Sequence, residues 1–142
     1  MRAYYLLALA ALGACNLATL DPEALVVERA PIGALDCGQS SFWDDLPPYP
    51  VRECVLGAIA DGQPFFAIVD EAVFDGRLTV GYAYDGAAFL KLDYEAAYGQ
   101  FPGMDSEALS WTACAWLESR GADCPTLTRD LCLGCVGATP IR

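Results

Sequence analysis

The sequence predicts an α+β fold in which one amphipathic helix packs on a small antiparallel β-meander, and the whole is disulfide-stapled. Residues 65–94 hold three apolar runs separated by two Asp-Gly turns, residues 50–61 repeat apolar positions at helical spacing, and the chain contains seven cysteines. Asp-Gly between alternating apolar runs favours antiparallel hairpins, because glycine tolerates the positive φ of tight turns. The length of 142 residues suits one domain.

The apolar pattern selects a register for the second hairpin of this meander. A three-residue loop at 84–86 places apolar side chains opposite each other on one face, pairing Leu78 with Leu92 and Val80 with Leu90. A two-residue loop would mix apolar and charged side chains on that face. Since a slip of one residue exchanges the two faces of a strand, we expect the three-residue loop.

The first hairpin leaves one carboxylate badly placed in either register. A loop at 74–76 sends Asp70 to the apolar face, and a loop at 75–76 sends Glu71 there. We therefore expect a β-bulge near these two residues. A paired-carboxylate site is the functional interpretation of Asp70 and Glu71, and a solvated strand end is the structural one, which we favour.

One helix is predicted over residues 50–61, immediately before the meander. Its apolar residues recur at i, i+3, i+4, i+7 and i+8, at Val51, Cys54, Val55, Ala58 and Ile59. Gly62 suits a left-handed helix cap, and Pro64 prevents the helix from continuing. Because helix and meander adjoin in sequence, we expect them to pack on each other.

Residues 108–117 fit two periodicities. Alternation of apolar residues predicts a strand, and a second set at helical spacing predicts a helix, so periodicity alone leaves both open. We choose the strand, because Trp111, Thr112 and Cys114 favour it and the meander would gain a fourth strand. Residues 121–142 are rich in turn formers and are expected to be held by disulfides.

The first fifteen residues have the pattern of an export signal. Arg2 precedes an apolar stretch at 4–11, too short to span a bilayer, which ends in Leu12-Gly13-Ala14-Cys15. This tetrapeptide resembles the lipobox of bacterial lipoprotein precursors, and the resemblance covers only these residues. It implies cleavage after Ala14 and lipidation of the Cys15 thiol, with Asn16 favouring the outer membrane of a Gram-negative cell. The remaining chain resembles no family of known activity.

The resemblance divides the chain into three parts. Residues 1–14 are expected to be a lipoprotein signal peptide, 15–36 a tether, and 37–142 a single small disulfide-rich domain. Asp21, Pro22 and Glu23 form a helix-start pattern, so one or two helical turns through Arg29 are compatible with the sequence. We expect this segment to lie outside the core.

Apart from Cys15, six cysteines remain, namely Cys37, Cys54, Cys114, Cys124, Cys132 and Cys135. Their role has two competing interpretations. The four from Cys114 onward have a spacing that a four-thiolate zinc site could use. Export to an oxidising compartment favours disulfides instead. We favour Cys37 with Cys54, and pairing of the last four among themselves.

Cys132 and Cys135 form a C-x-x-C motif, the pattern of thiol–disulfide oxidoreductases. Redox catalysis requires the first thiol at a helix N-terminus that follows a strand, where its pKa falls. The sequence before Cys132 predicts no such strand and helix, so a structural role is expected for both cysteines.

Charge and composition exclude several functions. The chain has no histidine, which excludes Ser-His-Asp and Cys-His catalytic sets and histidine-based metal sites. The net charge is −11, and removal of 1–14 would take away only Arg2 and leave −12. Such a surface repels nucleic acid and anionic lipid and is compatible with a cationic protein partner. Solubility explains the negative charge as well, and we favour that explanation. We expect no cofactor and no metal.

These observations predict a lipid-anchored cell-envelope protein with a binding or structural role rather than an enzyme. It would meet the membrane through lipidated Cys15. One alternative is a proteinaceous inhibitor of a cationic secreted enzyme such as lysozyme, because the chain is strongly acidic and disulfide-rich. Another is a carboxylate-dependent hydrolase, which would require folding to bring together acids from Asp44-Asp45 or Asp70-Glu71.

Overall fold

Both predicted hairpins lie at the centre of a six-stranded, mainly antiparallel sheet, which two helices cover. The computed structural model describes residues 20–41, 49–73, 75–98, 106–120 and 131–141. The elements follow in the order α1 (Pro22–Arg29), β1 (Leu35–Ser41), α2 (Tyr49–Asp61), β2 (Phe65–Val73), β3 (Gly76–Tyr84), β4 (Phe89–Ala97), β5 (Ser106–Cys114), β6 (Trp116–Ser119), β7 (Leu133–Val136) and β8 (Thr139–Ile141).

The large sheet has the strand order β1-β2-β3-β4-β5-β8. Strand β1 is parallel to β2, and α2 lies between them in sequence; all other neighbours are antiparallel. Strands β6 and β7 form a separate antiparallel pair. The four central strands are therefore the expected meander with its fourth strand, while β1 and β8 extend it at both sides.

The sheet buries apolar side chains on both faces. One core joins α2 and the β6–β7 pair to one sheet face through Val55, Phe65, Tyr82, Leu117 and Leu133. The other core lies beneath α1 and contains Val26, Ile68, Ala83, Leu90, Leu92 and Trp111. The expectation of a single helix is thus wrong, because a second helix covers the opposite face.

The extra helix is α1, in the segment that was expected to be a tether. The Asp21 side chain caps it by accepting hydrogen bonds from the backbone N–H groups of Glu23 at 3.1 Å and Ala24 at 3.3 Å. Val26 has no exposed surface. It fits directly over Gly81, where a Cβ would collide with the Val26 side chain. A tether outside the core is therefore wrong for Pro22–Arg29, and the same holds for Leu35 and Asp36, which pair with β2.

Helix α2 covers the segment where a helix was expected. Val51, Val55 and Ala58 are buried against the sheet. The chain leaves the helix at Gly62, whose φ of 63° is the left-handed conformation that glycine favours.

The expected register of the second hairpin is wrong. The strands pair Tyr84 with Phe89 and Gly81 with Leu92, so the loop has four residues rather than three. The Asp85 carboxylate fixes this loop by accepting hydrogen bonds from the N–H groups of two loop residues, each at 2.8 Å. The pattern argument failed because it assumed one apolar face, whereas both faces are covered.

The expected bulge in the first hairpin is also wrong. Pairing between β2 and β3 runs from Phe65 with Tyr84 to Val73 with Gly76 without a shift in register. Asp70 lies opposite Thr79 and has polar partners in that position, so the strand needs no bulge to accommodate the carboxylate.

Residues 108–117 are extended, as chosen, but they span two strands. β5 ends at Cys114, and β6 begins at Trp116 in the smaller sheet. Between them, the Ala115 N–H donates to the carbonyl of Val136 at 2.7 Å, which turns the chain away from the large sheet.

Candidate functional site

Disulfides join the helices and strands of the domain at two described positions. One links Cys37 to Cys54, the pair favoured from the sequence, and ties β1 to α2 with Cα atoms 5.5 Å apart. The other links Cys114 to Cys135 and ties the end of β5 to β7 with Cα atoms 5.2 Å apart. Cys132 is also disulfide-bonded. Cys15 and Cys124 lie outside the described part of the chain.

These pairings bear on the two chemical interpretations of the C-terminal cysteines. Cys132 and Cys135 belong to different disulfides, so the C-x-x-C motif is not a redox pair. Cys114 and Cys135 are joined to each other, which removes two of the four thiolates that a zinc site would need. Within the described ranges, no group of three or more potential metal ligands comes together.

Arg52 connects α2 to the segment around Cys132. Its Nε donates to the carbonyl of Leu131 at 3.1 Å, and a terminal nitrogen donates to the Ser119 hydroxyl at 2.5 Å. Leu131 and Cys132 both have left-handed backbone conformations, with φ values of 50° and 55°. Such conformations cost free energy for residues other than glycine, so surrounding contacts must hold them in place.

The main cluster of charged side chains lies between α1 and the sheet. The Arg77 guanidinium donates from Nε to Asp70 and from a terminal nitrogen to Glu23, each at 2.7 Å. The Thr79 hydroxyl donates to the same Asp70 oxygen at 2.7 Å. Gln39 of β1 completes the cluster by donating to Glu23 at 2.9 Å.

Local structure places these residues side by side. Asp70 and Thr79 are directly opposite on β2 and β3, and Arg77 lies two residues before Thr79, so its side chain is on the same face. Glu23 is in the first turn of α1, where a carboxylate is favourable. The hydrogen bond to Asp70 is the largest cause that raises the pKa of Arg77.

The cluster does not have the geometry of a pair of catalytic carboxylates. Asp70 and Glu23 meet through Arg77, which engages both acids and occupies the space between them. Acid–base catalysis needs one carboxyl group that is able to donate a proton to substrate. Glu71, the second acid of the pair considered from the sequence, is paired in register with Leu78. Asp44 and Asp45 lie outside the described residues.

Two other polar side chains of the sheet have defined partners. Lys91 lies opposite Tyr82, and its ammonium group is 2.8 Å from the Asp93 carboxylate. The Tyr94 hydroxyl donates to Glu107 at 3.3 Å. Burial, and then the nearby Glu107 charge, raises the pKa of Tyr94.

All basic side chains in the described residues have partners, while many acids are exposed. Arg29 lies 5.3 Å from the ring centroid of Trp111, Arg52 and Arg77 have the bonds given above, Lys91 binds Asp93, and Arg120 is also engaged. Asp85, Glu95, Glu107 and Glu118 are exposed. The surface therefore presents excess negative charge.

Comparison with known proteins gives no relative. No family model, curated protein or solved structure matches the chain. No helix in the described part of the chain is long and apolar enough to cross a bilayer.

Proposed function

We propose that the protein is a non-catalytic, lipid-anchored binding protein of the bacterial cell envelope, and that its partner is cationic. The observation that carries the proposal is the pairing of Cys37 with Cys54 and of Cys114 with Cys135. Disulfides persist in oxidising compartments outside the cytoplasm. They accord with the export signal that ends at Cys15, whose lipidated thiol would hold the domain at the outer membrane of a Gram-negative cell.

The charge distribution supports the second half of the proposal. Arg77 and Lys91 form ion pairs within the molecule, and so does Arg52 with Glu53 at 3.1 Å. The exposed acids therefore give the surface a net negative charge, which acts on approaching molecules. A negative surface accelerates association with a cationic partner and opposes binding of nucleic acid.

Mass and location test the anchor. The full chain, expressed in a Gram-negative host, is expected in the outer-membrane fraction with an intact mass that shows loss of residues 1–14 and addition of acyl chains. Cys15→Ser should abolish both the acyl mass and the membrane fractionation. A full-length, unacylated chain with free thiols in the cytoplasm would contradict the proposal.

A second candidate is inhibition of a cationic secreted enzyme such as lysozyme. The observation favouring it is the combination of excess acid with the disulfides Cys37–Cys54 and Cys114–Cys135, which restrict the motion of a small domain and so lower the entropy cost of binding. Lysozyme activity against bacterial cell walls is expected to fall with increasing amounts of the protein. Full activity at micromolar excess would reject this candidate.

A further inference from the structure

Strand β5 has a free outer edge along part of its length. It pairs with β4 over all nine residues, Ser106–Cys114, but β8 pairs with it only from Trp111 to Ala113. Within the described chain, residues 106–110 therefore have no strand partner on the outer side. At about 3.4 Å per residue, this free edge is roughly 17 Å long.

Backbone groups on this edge point away from the sheet at defined positions. Pro140 of β8 lies opposite Thr112 and has no N–H, so the bonds between β8 and β5 must run through the pairs on either side, Trp111 with Ile141 and Ala113 with Thr139. Outward-facing positions alternate along a strand. Glu107 and Leu109 therefore direct their N–H and C=O groups to the free edge.

The edge lacks most of the sequence features that prevent another strand from pairing with it. It has no proline and no lysine, and it carries one charge, Glu107. Ser106, Glu107, Ala108 and Ser110 are all exposed. An exposed strand edge of this kind is a template for another strand, because unpaired backbone groups gain partners when a peptide is added.

Charge around the edge indicates what kind of strand it accepts. Glu107 is on the edge itself, exposed Glu95 lies opposite Ala108 on β4, and Asp93 lies opposite Ser110. Of the described bases near this edge, Lys91 binds Asp93 and Arg29 lies over the Trp111 ring. A second copy of this chain would bring a net charge of −11 or more negative to an acidic edge, so like charges oppose that occupant.

We propose that the β5 edge at residues 106–110 binds a short, extended, lysine- or arginine-rich segment of a partner protein as an added antiparallel strand in line with β8. This rests on the proposed binding function and specifies its partner. Backbone hydrogen bonds supply affinity independent of sequence. Glu107 lies opposite Ala96 and Glu95 lies opposite Ala108, so the two acids are on opposite faces of the sheet, and each favours basic side chains on its own face of the added strand.

Synthetic peptides test the proposal on the full chain as purified. The probe is a labelled Lys-Val-Lys-Val-Lys peptide, compared with the same peptide N-methylated at every internal amide and with a Glu-Val-Glu-Val-Glu peptide. The unmodified cationic peptide should bind. Loss of several backbone donors, at about 0.5–1.5 kcal/mol each, should weaken binding at least about tenfold in the methylated peptide. The acidic peptide should not bind.

A matched pair of variants locates the site. The double variant Glu95→Gln, Glu107→Gln should weaken binding of the Lys-Val peptide whichever face its lysines occupy, whereas Glu118→Gln, which removes an exposed acid from β6, should leave it unchanged. Hydrogen exchange at 106–110 should slow when the peptide is present, without a change at 116–119.

Three results would overturn the proposal. They are equal affinity for the methylated peptide, no binding up to about 1 mM, or protection of 106–110 through self-association without peptide. These outcomes do not depend on acylation of Cys15, so the anchor proposal stands or fails separately through mass and fractionation.

Discussion

Asp70 shows how one side chain determines whether a charged cluster is stable. Its Oδ1 accepts from both Thr79 and Arg77, and its side chain is 23% exposed. Removing it would leave a buried hydroxyl and a half-buried guanidinium without their shared acceptor. The cost of leaving such groups unsatisfied exceeds the net value of the bonds themselves.

We therefore predict that Asp70→Ala lowers the free energy of unfolding by about 1–3 kcal/mol. The matched control is Asp93→Ala, which removes an acid from a more exposed ion pair and should cost less than about 1 kcal/mol. Urea denaturation of both variants measures the difference. Equal losses would show that the cluster beneath α1 adds no more than an ordinary surface pair.

The Asp85 carboxylate makes the stability of the fold depend on pH. Backbone hydrogen bonds, first from Ala88 and then from Ala87, lower the pKa of Asp85. The charged Asp85 side chain therefore stabilises the fold at pH values above its unfolded pKa of about 3.9. This stabilisation is lost as the pH falls through the lower pKa of the folded state. Asp85→Asn keeps an oxygen acceptor but removes the charge, so the variant should be less stable than the natural chain at pH 6.

The difference in stability between Asp85→Asn and the natural chain should shrink as pH falls below about 4, since the natural residue then becomes neutral. Thermal unfolding between acid and neutral pH measures it. A constant difference across that range would mean that geometry and not charge makes Asp85 effective.

Helix α1 depends on a contact between elements that sequence patterns do not reveal. Val26 is buried because Gly81, distant in sequence, has no Cβ at the point of contact. Tight cores do not accept an added methyl group without movement. The docking of α1 is thus a property of a residue pair rather than of the helix alone.

We predict that Gly81→Ala destabilises the fold by about 1–3 kcal/mol, because its methyl group collides with Val26. Val26→Ala alone should also destabilise, through lost apolar contacts. The double variant should be more stable than the sum of the two losses, since the smaller side chain makes room for the added methyl group. A double-mutant cycle by denaturation tests this, and strict additivity would contradict direct contact.

Individual helices and strands could be predicted from the sequence, whereas the contacts between them could not. Helix α2, the three central strands and the extended state of β5 were predictable, because periodicity and Asp-Gly turns are local signals. The hairpin registers were not, since their choice assumed one buried face. The charged cluster was missed because Glu23 and Arg77 are 54 residues apart, and only docking of α1 brings them together.

At the scale of the whole molecule, disulfides supply stability that the small domain needs. They close loops with sequence separations of 17 and 21 residues. In the chain-entropy account, each contributes about 3 kcal/mol by restricting the unfolded chain.

We predict that the double variant Cys114→Ala, Cys135→Ala loses about 3 kcal/mol of unfolding free energy relative to the oxidised chain. Reductant should narrow the difference in stability between the two proteins, because it also opens the Cys114–Cys135 bridge of the natural chain, which the variant lacks. Denaturant midpoints with and without reductant measure these effects. An unchanged midpoint in the double variant would show that native strain offsets the entropic gain.

The parallel pairing of β1 with β2 has a consequence for the order of assembly. Hairpins of β2 to β4 connect neighbours in sequence and form quickly, whereas a parallel pair requires its crossover segment to be in place first. Although β1 is synthesised before every other strand, it should therefore join the sheet late, after α2 has docked. Until then, the flank of β2 is uncovered, and the newly made chain is most vulnerable to misassociation at that stage.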